Sequence, residues 1–521
     1  MGDSFVKNIN LLAGALTLGA YGADVQASDT ARPNILFIIA DDMSFPHAGA
    51  YGCTWVHTPA FDRVAREGIL FTNAYTCNAK SAPSRASILT GQYSWQLEEA
   101  ANHIGFWPEG KFPTFMETLA DHGYRAAFTG KSWAPGDPRQ RKLTGTPYQE
   151  KRLTPPTKQI SNIDYPANFK EFLNDVPESI PWVFWFGSHE PHRAYEYGTG
   201  ISKGGKELND IDKVPAFWPD NEVVRNDMLD YAFEIEYFDK QIGTMIRELE
   251  ERGILNNTLI VITSDNGMPF PRSKGFQYEY SNHMPLAMMW PEGITSPGRV
   301  CDEYINFIDF APTFLEVAGI KKHGMQPAGK EMTDIFGNKS DKDRSYTLLG
   351  QERHDYGRPM NQGYPIRSII EDGYLYNYNF KPDLWPAGNP ETGYLNTDGS
   401  PTKTEILNLR REGKDRHLWK MSFGKNPQEA LYWITVDPEC LVNLASNPLF
   451  YNLRKKMNEK LFENLRKQKD PRVHGNGDIF DTYPFMDKKN HNFYERFMNG
   501  EIKDYQTGWV NRSDYEKEVI E

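Results

Sequence analysis

The chain has 521 residues, more than one compact core usually holds, so one large domain with a smaller companion is expected. Apolar residues make up 39% and charged residues 25%, as in globular proteins, and the net charge of −12 argues against a nucleic-acid binder, which needs a basic surface. Four cysteines are too sparse for a disulfide scaffold; a single bridge is possible, and the sequence does not fix its pairing.

In chain order, residues 1–27 read as a signal peptide. Lys7 precedes an apolar run from Leu11 to Ala20, and small residues follow at Val25-Gln26-Ala27. The run is too short to span a bilayer, and nothing later is long and apolar enough to do so. The expectation is an exported protein, periplasmic or secreted, without a membrane span. Pro33 to Ala40 is a continuous apolar run, the mark of a strand buried on both faces, and it ends in Asp41-Asp42. Phe61 to Glu67 and Thr114 to His122 fit short helices. Between them, Ser81-Ala82-Pro83-Ser84-Arg85-Ala86-Ser87-Ile88-Leu89-Thr90-Gly91 opens like a loop and ends like a helix.

Trp133 to Asn168 reads as a long surface excursion. Its Arg139, Arg141, Lys142, Lys151, Arg152 and Lys158 fit either a solvated loop or a positive rim that attracts an anion. A second apolar run, Trp182 to Phe186, ends in Gly187-Ser188-His189-Glu190-Pro191-His192-Arg193. From Val224 to Leu249 apolar residues recur at three and four, predicting one amphipathic helix stopped by Gly253. A third run, Leu259 to Thr263, ends in Ser264-Asp265-Asn266-Gly267. Three buried strands thus deliver polar residues at their carboxyl ends, the edge where open α/β sheets bind ligands. The reading is an α/β domain with a large, mostly parallel sheet over 32–370. A smaller α+β domain follows over 371–521, with strands at Gly373–Phe380 and Leu431–Ile434 and a helix at Leu449–Leu465.

Asp41, Asp42, Asp265 and Asn266 offer only oxygen, which suits a hard cation such as Ca²⁺ or Mg²⁺ and not zinc. Without a cation, such groups brought together would repel one another.

The pattern Ser81-x-Pro83-Ser84-Arg85-x-x-x-Leu89-Thr90-Gly91 resembles the signature of the type I sulfatases. Gly123-Tyr124-Arg125-Ala126-Ala127-Phe128-Thr129-Gly130-Lys131 resembles that family's second signature. The likeness runs from about Pro33 to about Phe450 and includes Asp437-Pro438-Glu439 and Asn443-Leu444-Ala445. It implies an alkaline-phosphatase-like α/β sandwich. It also implies that a maturation enzyme oxidises Ser81 to formylglycine, whose hydrated aldehyde is the nucleophile. Asp41, Asp42, Asp265, Asn266 and modified Ser81 would hold Ca²⁺. Arg85 would hold the diol, Lys131 and Lys274 would meet the sulfate, and His189 would protonate the leaving group. One departure is clear: the family's histidine after the Gly-Lys pair is absent, and Gly130-Lys131-Ser132-Trp133 stands there instead. His283 or His103 are the candidates to replace it.

Within the family, His189 to Arg193, Ser264 to Pro271 and Tyr364 to Ser368 resemble the branch that hydrolyses N-sulfated glucosamine. The expected substrate is a sulfated glucosamine of a glycan, with a heparan-type N-sulfate favoured. The alternatives are a 6-O- or 3-O-sulfatase on N-acetylglucosamine, a phosphonate or phosphate monoesterase of the same superfold, or a sulfoglycan-binding protein without turnover. His192, Arg193, Arg353, His354, Asp355 and Arg367 are the candidate substrate contacts, although Arg367 could instead bridge the two domains.

Overall fold

A computed structural model describes residues 32–503 and 507–518. The expected signal peptide lies outside the described residues. The apolar runs become the centre of an eight-stranded sheet. Its strands are β1 (Asn34–Ala40), β2 (Ile69–Phe71), β3 (Arg125–Gly130), β4 (Thr146–Pro147), β5 (Trp182–Gly187), β6 (Thr258–Ser264), β7 (Leu286–Met289) and β8 (Arg299–Cys301), in spatial order β8-β2-β7-β6-β1-β5-β3-β4. From β6 to β4 every pairing is parallel; β7 runs antiparallel to both of its neighbours, making the sheet mixed.

Alternation sends successive β1 side chains into two cores. Leu36, Ile38 and Ala40 pack on one face with α2 (Glu222–Glu251), whereas Ile35, Phe37 and Ile39 pack on the other with α1 (Ser81–Thr90) and the helix Phe310–Val317. The serine signature thus forms α1, and the long amphipathic segment forms α2. The Asn221 side chain caps α2, and the helix ends at Glu251, just before Gly253 with φ +70°. Every apolar position predicted on its inner face, from Val224 to Leu249, is buried.

Register fixes the functional edge. Ala40 lies opposite Ser264, and Gly187 opposite both Ile39 and Gly130, so β6, β1, β5 and β3 end side by side. Asp265, Asp41, Ser188 and Lys131 are the next residues of those four strands.

α1 begins at Ser81 itself, two residues before Pro83, with Lys80 as the extended N-cap. Proline is tolerated in a first turn because the amide it lacks would have no helical partner. Ser81 is therefore inside the helix, and its hydroxyl is not consumed in capping. The helix ends at Gly91, whose φ of +69° is left-handed and whose added Cβ would lie 2.7 Å from Pro327 Cβ. Gly91→Ala should destabilise the protein by about 1–2 kcal/mol through the backbone conformation alone. A denaturant titration checks this.

A second sheet, β9 (Tyr346–Gln351), β10 (Ile366–Glu371), β11 (Tyr374–Asn379) and β12 (Glu429–Trp433), is antiparallel throughout. α3 (Tyr451–Lys467) covers it with Met457, Leu461 and Leu465, which join Leu348, Ile369, Tyr376 and Leu431 in one core. The sheet opens at Tyr346, so β9 precedes the division expected at residue 370 and β10 crosses it. Cys53, Cys77, Cys301 and Cys440 are all unbridged. No helix among the described residues is long and apolar enough to cross a membrane.

Candidate active site

The strand edge and the start of α1 converge on one buried cluster. Ser81 Oγ donates toward Asp41 Oδ1 at 3.3 Å and lies 3.4 Å from Asn266 Oδ1. Lys131 Nζ donates to both Asp41 oxygens at 2.7 Å and to Ser81 Oγ at 3.0 Å. Arg85, one turn after Ser81, places Nε 2.8 Å from Asp265 Oδ2 and a terminal nitrogen 3.5 Å from Asp41. Lys274 Nζ reaches Asp42 Oδ2 at 2.6 Å, and Asn266 Nδ2 reaches Asp42 Oδ1 at 2.7 Å. All eight residues lie at the same edge. Asp42 accepts a φ of +78°, a strained region for a non-glycine residue, at the turn leaving β1.

Carboxylate oxygens of Asp41, Asp42 and Asp265 lie within 4.8 Å of one another, and all three residues are buried. Burial alone would raise both aspartates of the pair. Asp41 is nevertheless held well below the usual carboxylate range, because Lys131, His192, Arg85 and Lys274 outweigh that effect. Asp42 is raised: burial dominates, Lys274 and His192 offset it only in part, and Asp41 and Asp265 add repulsion. This donor set, three carboxylates with an amide and a hydroxyl oxygen beside them, fits a hard divalent cation.

The predicted substrate contacts divide. His192 is half-exposed, with Nε2 3.8 Å from Asp42. His189 is exposed overall, yet lies close enough to Asp41, Lys131, Arg85 and His192 to feel their charges. Lost hydration, opposed by Asp41 and reinforced by Lys131 and Arg85, pulls its pKa down to about 4. Asp355 pairs with Lys80 at 2.8 Å and with His103 at 3.2 Å, and His354 bonds Asn78 at 2.9 Å, making a polar layer behind the first residue of α1.

The side chains of three arginines have partners of their own. Arg193 has a covered side chain, with both terminal nitrogens on Asp227, at 2.6 and 2.7 Å. Arg353 is buried over the Phe485 ring at 3.8 Å and bonds the Asp481 carbonyl. Arg367 gives Nε and a terminal nitrogen to Asp470, and reaches Glu352 and the Gln351 and Ile366 carbonyls with the rest, so every donor is engaged. A saturated, fully buried guanidinium has nothing left for a ligand; Arg367 instead ties β10 to the segment after α3. Arg367→Ala should destabilise the protein by about 3–5 kcal/mol, because Asp470 is left buried without its ion-pair partner, although Glu352 keeps Arg472. KM at low temperature should stay within about twofold, which thermal unfolding and steady-state kinetics together would show.

Other expectations also change. Three of the six cations of the basic excursion are paired, Arg139 with Glu99, Arg141 with Glu117 and Lys151 with Glu171, which halves the positive rim it could form. Trp133, standing where the family has histidine, is buried and donates Nε1 to the Ala82 carbonyl at 2.9 Å, bracing the start of α1. His283 does not replace that histidine, because Glu279 and the Thr72 carbonyl engage both of its ring nitrogens. His103, through Asp355 and Lys80, is the candidate on the side of the site.

One residue was missed. Asp398 lies 3.1 Å from Lys274, and a carboxylate oxygen of it falls within 4.8 Å of ligand atoms of Asp42 and His192. Lys274 accordingly stays firmly protonated: burial opposes the charge, but Asp398, Asp42 and Asp41 outweigh it. In sequence, Asn396-Thr397-Asp398-Gly399 carries only a turn signal.

A family model described as Sulfatase matches residues 33–320, more than half of the chain. The chain belongs to the sulfatase family. This sulfatase is 27% identical over 483 residues to human N-sulphoglucosamine sulphohydrolase, covering 85% of this chain and 92% of that one. It is 29% identical over 481 residues to an ulvan-active sulfatase of Formosa agariphila, covering 84% and 74%. A solved protein in complex with its substrate D-glucosamine-2-N,6-O-disulfate superposes with a TM-score of 0.61 at 20% identity, covering 84% of this chain and 98% of that one. The last likeness is one of fold. The sulfatase is thus a sulfate ester or sulfamate hydrolase built on the alkaline-phosphatase-like sandwich.

Proposed function

We propose that this sulfatase removes sulfate from a sulfated glucosamine of a glycan, with the N-sulfate favoured. The observation that carries the reading is Ser81 Oγ held between Lys131, Asp41 and Asn266 at the point where three buried aspartates converge. The choice of sugar is supported by the likeness to human N-sulphoglucosamine sulphohydrolase across most of both chains. Export rests on the reading of residues 1–27.

Asp41, Asp42, Asp265 and Asn266, with the oxygen on residue 81, would hold Ca²⁺. Calcium and a formylglycine at position 81 would together supply an activated oxygen nucleophile near neutral pH. The chain's own residues do the rest. The amino terminus of α1 favours negative charge at residue 81. Arg85 balances Asp265 and fixes its carboxylate. Lys131 and Lys274 place two ammonium groups at the edge for sulfate oxygens. His189, open to whatever enters, donates a proton to the departing amine or alcohol; a bound anion raises its pKa from about 4 toward the working range.

His189→Ala should therefore lower kcat about 10²–10⁴-fold on an amine or sugar-alcohol leaving group. An aryl sulfate, whose phenolate leaves unaided, should lose far less. Equal losses on both substrates would remove His189 from that role. The function itself is tested by released sulfate from N-sulfated, 6-O-sulfated and 3-O-sulfated glucosamines, with matched phosphate esters as controls. Fastest turnover of the N-sulfate is expected; preference for another position would reassign the substrate. Trp133 in place of the usual histidine favours one second reading, a sulfoglycan binder without turnover. Binding without sulfate release across the whole panel would support it.

A further inference from the structure

Lys274 keeps a buried ammonium beside the proposed divalent-cation site, an arrangement that repulsion between like charges opposes. Its side-chain partners among the described residues are two carboxylates, Asp42 Oδ2 at 2.6 Å and Asp398 Oδ2 at 3.1 Å. Asp42 is one of the residues that would hold the cation, so its charge does not belong to Lys274 alone. Lys131 is placed differently. It takes both oxygens of Asp41 and Ser81 Oγ, and among the described residues no second acid bonds it.

Asp398 belongs to a turn that is gripped on both sides. Toward the site, Asn396 Nδ2 donates to the Gly275 carbonyl at 3.1 Å, and Lys80 Nζ donates to the Asn396 carbonyl at 3.2 Å. Gly275 N donates in turn to the Ala79 carbonyl at 2.8 Å. Gly275 has φ +82°, and an added Cβ would lie 2.9 Å from Asn396 Nδ2, so glycine is what lets the turn come this close. Away from the site, Lys403 Nζ donates to the Thr397 carbonyl at 2.8 Å and Gly399 N to the Trp509 carbonyl at 2.7 Å. None of these bonds uses the Asp398 carboxylate. The turn is therefore fixed without it, and it presents that carboxylate to Lys274 while touching the residue before Ser81.

Asp42, His192 and Asp398 bring ligand atoms within 4.8 Å of one another. The Lys274 ammonium, bonded to both carboxylates, already supplies the positive charge at that junction.

We infer that Asp398 is a positioning residue: it holds the Lys274 ammonium at the sulfate subsite once Asp42 is committed to a divalent cation. The inference rests on the proposed reading in which Lys274 meets the sulfate. With Asp42 so committed, its attraction for Lys274 is largely cancelled, and Asp398 is the acid that remains. Without Asp398 the ammonium leaves the edge, and the sulfate oxygens lose a charge-assisted donor.

The sign of the effect separates this role from a plain change of charge. Removing a carboxylate beside an anion relieves repulsion and, on charge alone, tightens sulfate binding. Removing the partner that positions Lys274 loosens it.

The test titrates inorganic sulfate calorimetrically into the calcium-loaded enzyme. Asp398→Asn should raise the sulfate dissociation constant about tenfold, as expected for one charge-assisted hydrogen bond. KM for N-sulfated glucosamine should rise by a similar factor. Asp398→Glu, which keeps the charge, should recover most of the loss. In a Lys274→Met background, adding Asp398→Asn should weaken sulfate no further. Asp398→Ser provides a second neutral variant, and melting curves in calcium confirm that each is folded. Unchanged or tighter sulfate binding in the neutral variants would overturn the inference, as would an equal loss in the Lys274→Met background. An unsubstituted enzyme that binds no sulfate would overturn the proposed function, and this inference with it.

Discussion

Ser81→Ala is expected to lower kcat by at least about 10⁴-fold while leaving the fold intact. Losses of this size follow removal of a nucleophile from a group that acts as a unit. The structural effect should be small because the one short contact to the hydroxyl, from Lys131 at 3.0 Å, belongs to an ammonium that is otherwise satisfied. Lys131 keeps both oxygens of Asp41, and the Ser81 contacts to Asp41 and Asn266 are long, at 3.3 and 3.4 Å. The expected change in stability is within about 1 kcal/mol. Kinetics and thermal unfolding on the same sample separate a reacting residue from a structural one. A modest fall in kcat, or a large fall in melting temperature, would place Ser81 among the latter.

Asp265 should show both losses together. Asp265→Ala removes an oxygen from the carboxylate cluster and the 2.8 Å partner of Arg85 Nε at once. Arg85 is fully buried, and it would keep only the Lys131 and Ser132 carbonyls and a 3.5 Å approach to Asp41. An uncompensated buried charge costs about 3–5 kcal/mol. Asp265→Asn keeps the size of the side chain but turns one of its two acceptors, which take Asp42 N and Arg85 Nε, into a donor, so its calcium effect is read beside its own stability loss. It should weaken calcium binding by at least about 100-fold, since even indirect partners of a metal are worth 10–100-fold. Calcium added to chelator-treated enzyme should raise the melting temperature and restore sulfate release. In Asp265→Asn the same calcium should do neither. Full activity after exhaustive chelation would remove the cation from the account.

Much of the catalytic edge was readable because its strands are buried on both faces. Continuous apolar runs mark β1, β5 and β6, and each run ends abruptly in polar residues. β3 was harder to see. Arg125-Ala126-Ala127-Phe128-Thr129-Gly130 is short and mixed, and its pairing with β5 and β4 makes it a strand. The antiparallel β7 is also set by tertiary pairing, and a four-residue apolar segment carries no sign of direction. Long-range electrostatics limited the site. Arg367 and Asp470 are 103 positions apart, and the sequence does not show that such a guanidinium is already saturated. Asp398 was missed for the same reason, because a turn aspartate gains its meaning only from Lys274, 124 positions earlier.

The claim everything else depends on is that residue 81 reaches the site as an aldehyde. The most direct measurement is the mass of the tryptic peptide Ser81–Arg85 from enzyme purified from its native host, alongside the specific activity of the same preparation. The account predicts a peptide lighter by two hydrogens, in a proportion that rises and falls with sulfate release. A fully active preparation in which that serine is wholly unmodified would contradict it.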